Sequence, residues 1–214
     1  MPEPAFILQF LAAATAIAYL PFVVRLPTPG RSALKTFPAA LLTLSALLGG
    51  YSPFVIAALA ACAAGDYFLS LEGEGNFLSG LGAFLAGHLF YMAFFARQID
   101  VVNLTAEPVL FSAIILTALI SLLLYRLWPY LGHSRTPVIF YSLAIAGMAV
   151  AAKAANPSFM VLVGIALFIV SDIVIALDRF TPLSTSPLRG LMPYVVWILY
   201  AAAQILIVYG LHSA

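Results

Sequence analysis

Two aspartates stand inside otherwise apolar stretches, in Gly65-Asp66-Tyr67-Phe68-Leu69 and in Ser171-Asp172-Ile173-Val174-Ile175. On insertion scales a carboxylate at the centre of a bilayer costs about 2.5–3.5 kcal/mol, so such a residue normally faces a partner or a water-filled cavity. Two carboxyl groups, one protonated and one ionised, are the equipment of acid–base catalysis. His88 lies deep in a third apolar stretch. Facing either aspartate it would tune or relay a proton, and facing neither it would be a histidine bonded across helices. Both readings stay open at this point.

Other polar residues fall at helical spacing. Phe77, Gly80, Phe84, His88 and Tyr91 recur every three or four positions and share one stripe. Gly80, Ala83 and Gly87 beside it allow another helix close approach. Trp197, Tyr200 and Gln204 share a face further on, as substrate contacts or as interhelical glue. Phe168, Asp172, Ile175 and Arg179 share another, with Arg179 two turns from Asp172 and within reach of a lipid phosphate. Asp178 is expected to point to solvent, and Arg189 to anchor the chain. Lys35 and Arg179 are the candidate phosphate contacts.

Metal chemistry finds little support. Of three histidines only His88 is deep, and no His-x-x-x-His or similar spacing occurs. Ser171 and Asp172 are adjacent, so on a helix they diverge by about 100° and form no catalytic relay by themselves. No phosphate-cradling glycine loop or nucleophile elbow is present. The expectation is no metal and no cofactor.

The elements that must position these residues are membrane helices. The chain is 64% hydrophobic and 8% charged, with mean hydropathy +1.10, against the roughly 25% charged residues of soluble domains. A net charge of +1 offers no nucleic-acid surface. Cys62 has no partner for an internal disulfide and reads as a small packing residue. Hydropathy and Pro/Gly punctuation predict one all-α domain of eight spans at about 5–24, 33–49, 52–70, 77–98, 108–128, 136–154, 158–179 and 190–210. The second is expected to be short and to open near Lys35, and Gly49-Gly50-Tyr51-Ser52-Pro53 to make a tight hairpin with the third. Met-Pro-Glu-Pro, without a basic segment, reads as the start of a retained span.

Loop cations suggest an orientation. Arg25, Arg31, Lys35, Arg126, Arg135, Arg179 and Arg189 fall on one side, against Arg97 and Lys153 on the other. Seven against two predicts cytoplasmic odd-numbered loops and both termini outside. Asp66 and Asp172 then lie roughly 6 and 12 Å below the cytoplasmic face. Asp66 is expected to be the wetter, basic partner and Asp172 the deeper acid. Asp66 and Asp172, like Gln98 and Gln204, are equally spaced in the chain, which leaves a duplicated four-helix half open.

Taken in order, Lys35-x-x-Pro38, Gly65-Asp66-x-x-Leu69, Phe77, Phe84, Gly87-His88-x-x-Tyr91, Phe168-x-x-Ser171-Asp172 and Tyr200-x-x-x-Gln204 resemble the pattern of the YhhN family, whose characterised members are lysoplasmalogenases. The resemblance runs from about residue 35 to 210, and departs in the lysine motif, where two residues separate Lys35 from Pro38. It implies hydrolysis of the vinyl-ether bond of a lysophospholipid to a fatty aldehyde and a glycerophospho-alcohol. It implies catalytic roles for Asp66 and Asp172, supported by His88 and Tyr91. Lys35, Arg179, Tyr200, Gln204, Phe84 and Trp197 would bind substrate. Partners would be the lysolipid and the bilayer, with the oligomeric state open, in a bacterial inner membrane with the site facing the cytoplasm. Two other classes compete: a proton-coupled transporter or lipid translocator using the same aspartates, and a scaffold whose polar residues only join helices.

Overall fold

The computed structural model describes residues 3–181 and 189–212. Residues 1–2, 182–188 and 213–214 lie outside the described residues, and the expected placement of both termini falls there.

Among the described residues eight long helices follow one another: α1 Glu3–Tyr19, α2 Pro29–Leu48, α3 Pro53–Leu69, α4 Glu74–Ala96, α5 Glu107–Leu127, α6 Arg135–Ala155, α7 Phe159–Phe180 and α8 Met192–His212. Short 3-10 turns precede α5 and α6 and follow α1, and there is no strand among the described residues. Six of the eight are long and apolar enough to cross a membrane. The exceptions are α2, which carries Arg31 and Lys35, and α3, which has 17 residues. Large apolar side chains such as Phe10, Phe111, Ile114 and Phe140 point outward, the pattern expected where lipid replaces water as the neighbour.

Local chemistry sets the helix ends. Thr28 caps α2 by accepting from the Arg31 N–H at 3.2 Å, and Pro29 supplies a fixed φ at the first position. The second helix therefore opens four residues earlier than hydropathy predicts and is not short. Lys35 stands in its second turn rather than at its mouth. Ser52 and Pro53 open α3 in the same way, after Gly50 turns the chain at φ +69°. Tyr51 donates to the Val208 carbonyl at 3.0 Å and fastens this hairpin to α8.

Packing follows the small residues. The closest helix pairs are α7 with α8 and α3 with α4. At Gly164 a Cβ would lie 2.9 Å from the Ala203 carbonyl, and at Gly87 it would lie 2.9 Å from Cys62 Sγ. Bare backbone lets these helices approach, as membrane interfaces favour. Helices α1 to α4 pack in sequence, α4 packs on α6, and α8 closes back on α1 and α2. Contacts between α6 and α7 are sparse, and α5 lies outside them. The polar residues gather beside this loosely packed seam.

Candidate active site

Asp66 and Asp172 line one cavity of about 280 Å³. Asp66 comes from the last turn of α3 and Asp172 from the second half of α7. Each carboxylate is held by a tyrosine from another helix: Tyr200 of α8 donates to Asp66 Oδ2 at 2.6 Å, and Tyr141 of α6 donates to Asp172 Oδ2 at 3.0 Å. His88 of α4 completes the second cluster. Its Nε2 lies 3.0 Å from Tyr141 Oη and 3.4 Å from Asp172 Oδ2.

Hydration of the two carboxyl groups reverses the expected order. Asp66 is 2% exposed, whereas the Asp172 side chain is 17% exposed. Depth along a helix does not measure wetness here. Asp66 lies under the Tyr200 hydroxyl of α8 with Lys35 of α2 beside it, while Asp172, held by Tyr141 of α6, keeps part of its side chain exposed.

His88 is fully buried and does not line the cavity; it stands behind Asp172 and Tyr141, with its ring against the edge of Phe168. Tyr91 is fully buried as well and donates to Gln204 Oε1 at 3.1 Å, a core contact away from the cavity wall. Tyr91 and Gln204 thus bond each other across α4 and α8 outside this cavity wall, with Gln204 next to Tyr200, the partner of Asp66. Phe84, Trp197 and Tyr200 do line the cavity, packed as an aromatic wall. Trp197 is fixed by donating to the Ala16 carbonyl at 2.9 Å.

The cations are arranged differently from the expectation. Lys35 lines the cavity, but Arg179 does not: it is exposed, with its guanidinium 4.7 Å from the Phe77 ring centroid. Asp178, expected in solvent, contributes to the cavity wall. Arg31, read from sequence as an orientation signal, reaches the carbonyls of Phe22, Val23 and Ser70 at 2.9, 2.8 and 3.1 Å. It ties the end of α1 to the end of α3 and presents a cation beside Lys35.

Sequence reasoning missed Tyr141, Arg31 and Tyr19 as wall residues. For Tyr141 a signal existed: with Ser142 it makes the polar step in the middle of the apolar run of α6. From the polar end the cavity continues into an apolar groove. Its walls are Leu116, Leu119, Ile120 and Leu123 of α5, Val138 and Ile145 of α6, and Ile169, Ile173 and Ala176 of α7.

Among the described residues no group of three or more His, Cys, Asp or Glu is placed to hold a metal ion. The arrangement offers two carboxyl groups with hydroxyl partners, one amine, and an apolar channel leading from them. That suits acid–base work on an amphiphile whose chain occupies the channel.

No curated protein and no solved structure matches the chain. The family model described as YhhN family matches residues 30–211, from the start of α2 to the end of α8. That span holds both aspartates, their tyrosine partners and the whole groove, and on it the chain belongs to the YhhN family.

Proposed function

We propose that the protein is a membrane hydrolase of lysoplasmalogen type, cleaving the vinyl ether of a single-chain phospholipid to a fatty aldehyde and a glycerophospho-alcohol. The observation that carries this reading is the sharing of one cavity by Asp66 and Asp172, at the head of an apolar groove.

A vinyl ether is cut by protonation at its outer carbon, which yields an oxocarbenium ion. Water adds to that ion, and the resulting hemiacetal collapses to aldehyde and alcohol. Glycosidases meet the same cationic intermediate with two carboxyl groups, one giving a proton and one staying charged. Asp66, the drier of the two, is assigned as proton donor, since apolar surroundings favour the protonated form of a carboxyl group. Asp172 is assigned as the carboxylate that steadies the cation and draws the proton from water. It meets the wetter part of the cavity and has both Tyr141 and His88 beside it. This exchanges the roles that helix depth alone suggests.

The alkenyl chain occupies the groove between α5, α6 and α7. Of the two cations lining the cavity, Lys35 is assigned to the phosphate, since Arg31 is spent on three carbonyls, while Arg179, outside it, meets lipid headgroups at the surface. Tyr91 and Gln204 join α4 to α8 outside the cavity wall. The loop cations favour a site open to the cytoplasm of a bacterial inner membrane.

The test is to incubate detergent-purified protein with a vinyl-ether lysophosphatidylethanolamine and with its saturated alkyl-ether analogue. Aldehyde is expected from the first substrate alone. Asp66→Asn and Asp172→Asn should each bind the analogue yet lose about 10²–10⁴-fold in turnover. No aldehyde from the wild type, with proton-driven lipid uptake in vesicles instead, would replace this reading by a transporter.

A further inference from the structure

We infer that Lys35 is an aldehyde-capturing amine, whose Nζ forms a Schiff base with a long-chain aldehyde held in the groove between α5, α6 and α7. The hydrolytic reading supplies the aldehyde, and in that respect the inference rests on it.

The chain has two lysines, Lys35 and Lys153, and only Lys35 lines the cavity. No hydrogen bond or ion pair among the described residues holds its amine. Its charged neighbours are Asp66 and Arg31. Arg31 is one turn earlier on α2 and already committed to three carbonyls. A lysine in an apolar pocket is a setting in which amines act as nucleophiles toward carbonyls, and the Asp66 carboxylate beside Lys35 is the group that takes its ammonium proton. An amine needed only for phosphate would be served as well by arginine, whose fork fits phosphate better.

The cavity also supplies the other reactant's position. An aldehyde whose tail fills the groove has its carbonyl at the polar end, where Lys35 and Asp66 share the wall. While the substrate's phosphate is present it occupies the amine. Departure of the glycerophospho-alcohol frees the nitrogen with the aldehyde still seated.

The lone pair of Nζ then adds to the carbonyl carbon, and the carbonyl oxygen takes up a proton to give a carbinolamine. Its hydroxyl leaves with a second proton as water, leaving a C=N bond. One aldehyde and one amine give one imine and one water, with no oxidant or reductant. Asp66 is the group on the same wall that delivers and recovers these protons.

The experiment supplies a saturated long-chain aldehyde directly to the full-length protein in detergent, with cyanoborohydride to reduce any imine to a stable secondary amine. Peptide mass spectrometry then locates the alkyl group. The expected result is alkylation concentrated at Lys35 in the wild type and in Lys153→Arg, and lost in Lys35→Arg. An unmodified Lys35, or equal labelling of Lys153, overturns the inference in the wild type alone, whatever the folding of the variants. Because the aldehyde is added, turnover is not required. Labelling at Lys35 in a protein that cleaves no vinyl ether would uphold the aldehyde site and remove the hydrolytic reading. Vinyl-ether cleavage with Lys35 unmodified would do the reverse.

Discussion

Asp172 Oδ2 meets two possible donors from two different helices, Tyr141 Oη at 3.0 Å and His88 Nε2 at 3.4 Å. Only the tyrosine faces the cavity; the histidine is sealed behind it, and its Nδ1 has no hydrogen-bond partner among the described residues. On the proposed function Tyr141 is therefore the member of the cluster placed to touch substrate, with His88 behind it as a positioning residue. Tyr141→Phe should lower kcat on the vinyl-ether substrate by about 10²-fold, the lower end of general acid–base effects. Tyr91→Phe tests the contrasting role. Its hydroxyl bonds Gln204 away from the cavity, so its loss should cost about 0.6–1 kcal/mol of stability with kcat little changed. Turnover assays beside thermal unfolding in detergent check both variants. Reversed outcomes would exchange the two tyrosines' roles. Both aspartates were legible in the sequence because a carboxylate in an apolar run has no other common reason to be there. Tyr141 was missed, since its polar step with Ser142 is a weak signal and a tyrosine at midspan reads as packing until its hydroxyl is seen on a carboxylate.

Helix pairing decides whether those side chains meet at all. The α7–α8 pair carries Asp172, Tyr200 and Trp197, and it closes where Gly164 faces the Ala203 carbonyl, only 2.9 Å from the position of an added Cβ. Backbone cannot yield as a flexible side chain does, so Gly164→Leu must drive the helices apart. Overpacking of this kind costs about 1–3 kcal/mol, and a clear fall in the unfolding midpoint in detergent is expected. Gly82 is the control: nothing lies within 4 Å of its added Cβ, and Gly82→Ala should not lower the midpoint. Equal behaviour of the two would mean that α7 and α8 do not approach as closely as described. At this scale the hairpin after α2 was legible because Gly50, Ser52 and Pro53 each have a distinct backbone role. The start of α2 was not. Arg31 and Lys35 depress the local hydropathy, although Thr28 and Pro29 give a capped helix start. The count of spans meets the same limit, because α2 is long enough for a membrane but polar on its cavity side.

Across the whole molecule one helix is out of proportion. α5 packs only lightly on α6 and α7 and is scarcely buried, yet four of its residues line the groove. Leu116, Leu119, Ile120 and Leu123 recur at i, i+3, i+4 and i+7, one narrow stripe on an otherwise lipid-facing helix. That stripe is apolar like the rest of α5, so sequence alone cannot tell a groove wall from a lipid surface; only the arrangement of α6 and α7 separates them. A wall held so lightly suits a chain that enters and leaves sideways from the bilayer, and the opposite wall then measures its length. Ile173, one residue beyond Asp172 on α7, lines the same cavity. Ile173→Trp narrows the channel without adding charge or removing a hydrogen-bonding group. Short-chain vinyl-ether lysolipids should still react, while long-chain ones lose access. A difference of one or two methylenes in an apolar pocket is worth about 1–3 kcal/mol, so the ratio of kcat/KM for short over long chains should rise about tenfold or more. The check is a chain-length series measured on both proteins. A uniform fall in kcat/KM at every length would place the alkyl chain outside this groove, and with it the headgroup end outside the cavity that the two aspartates share.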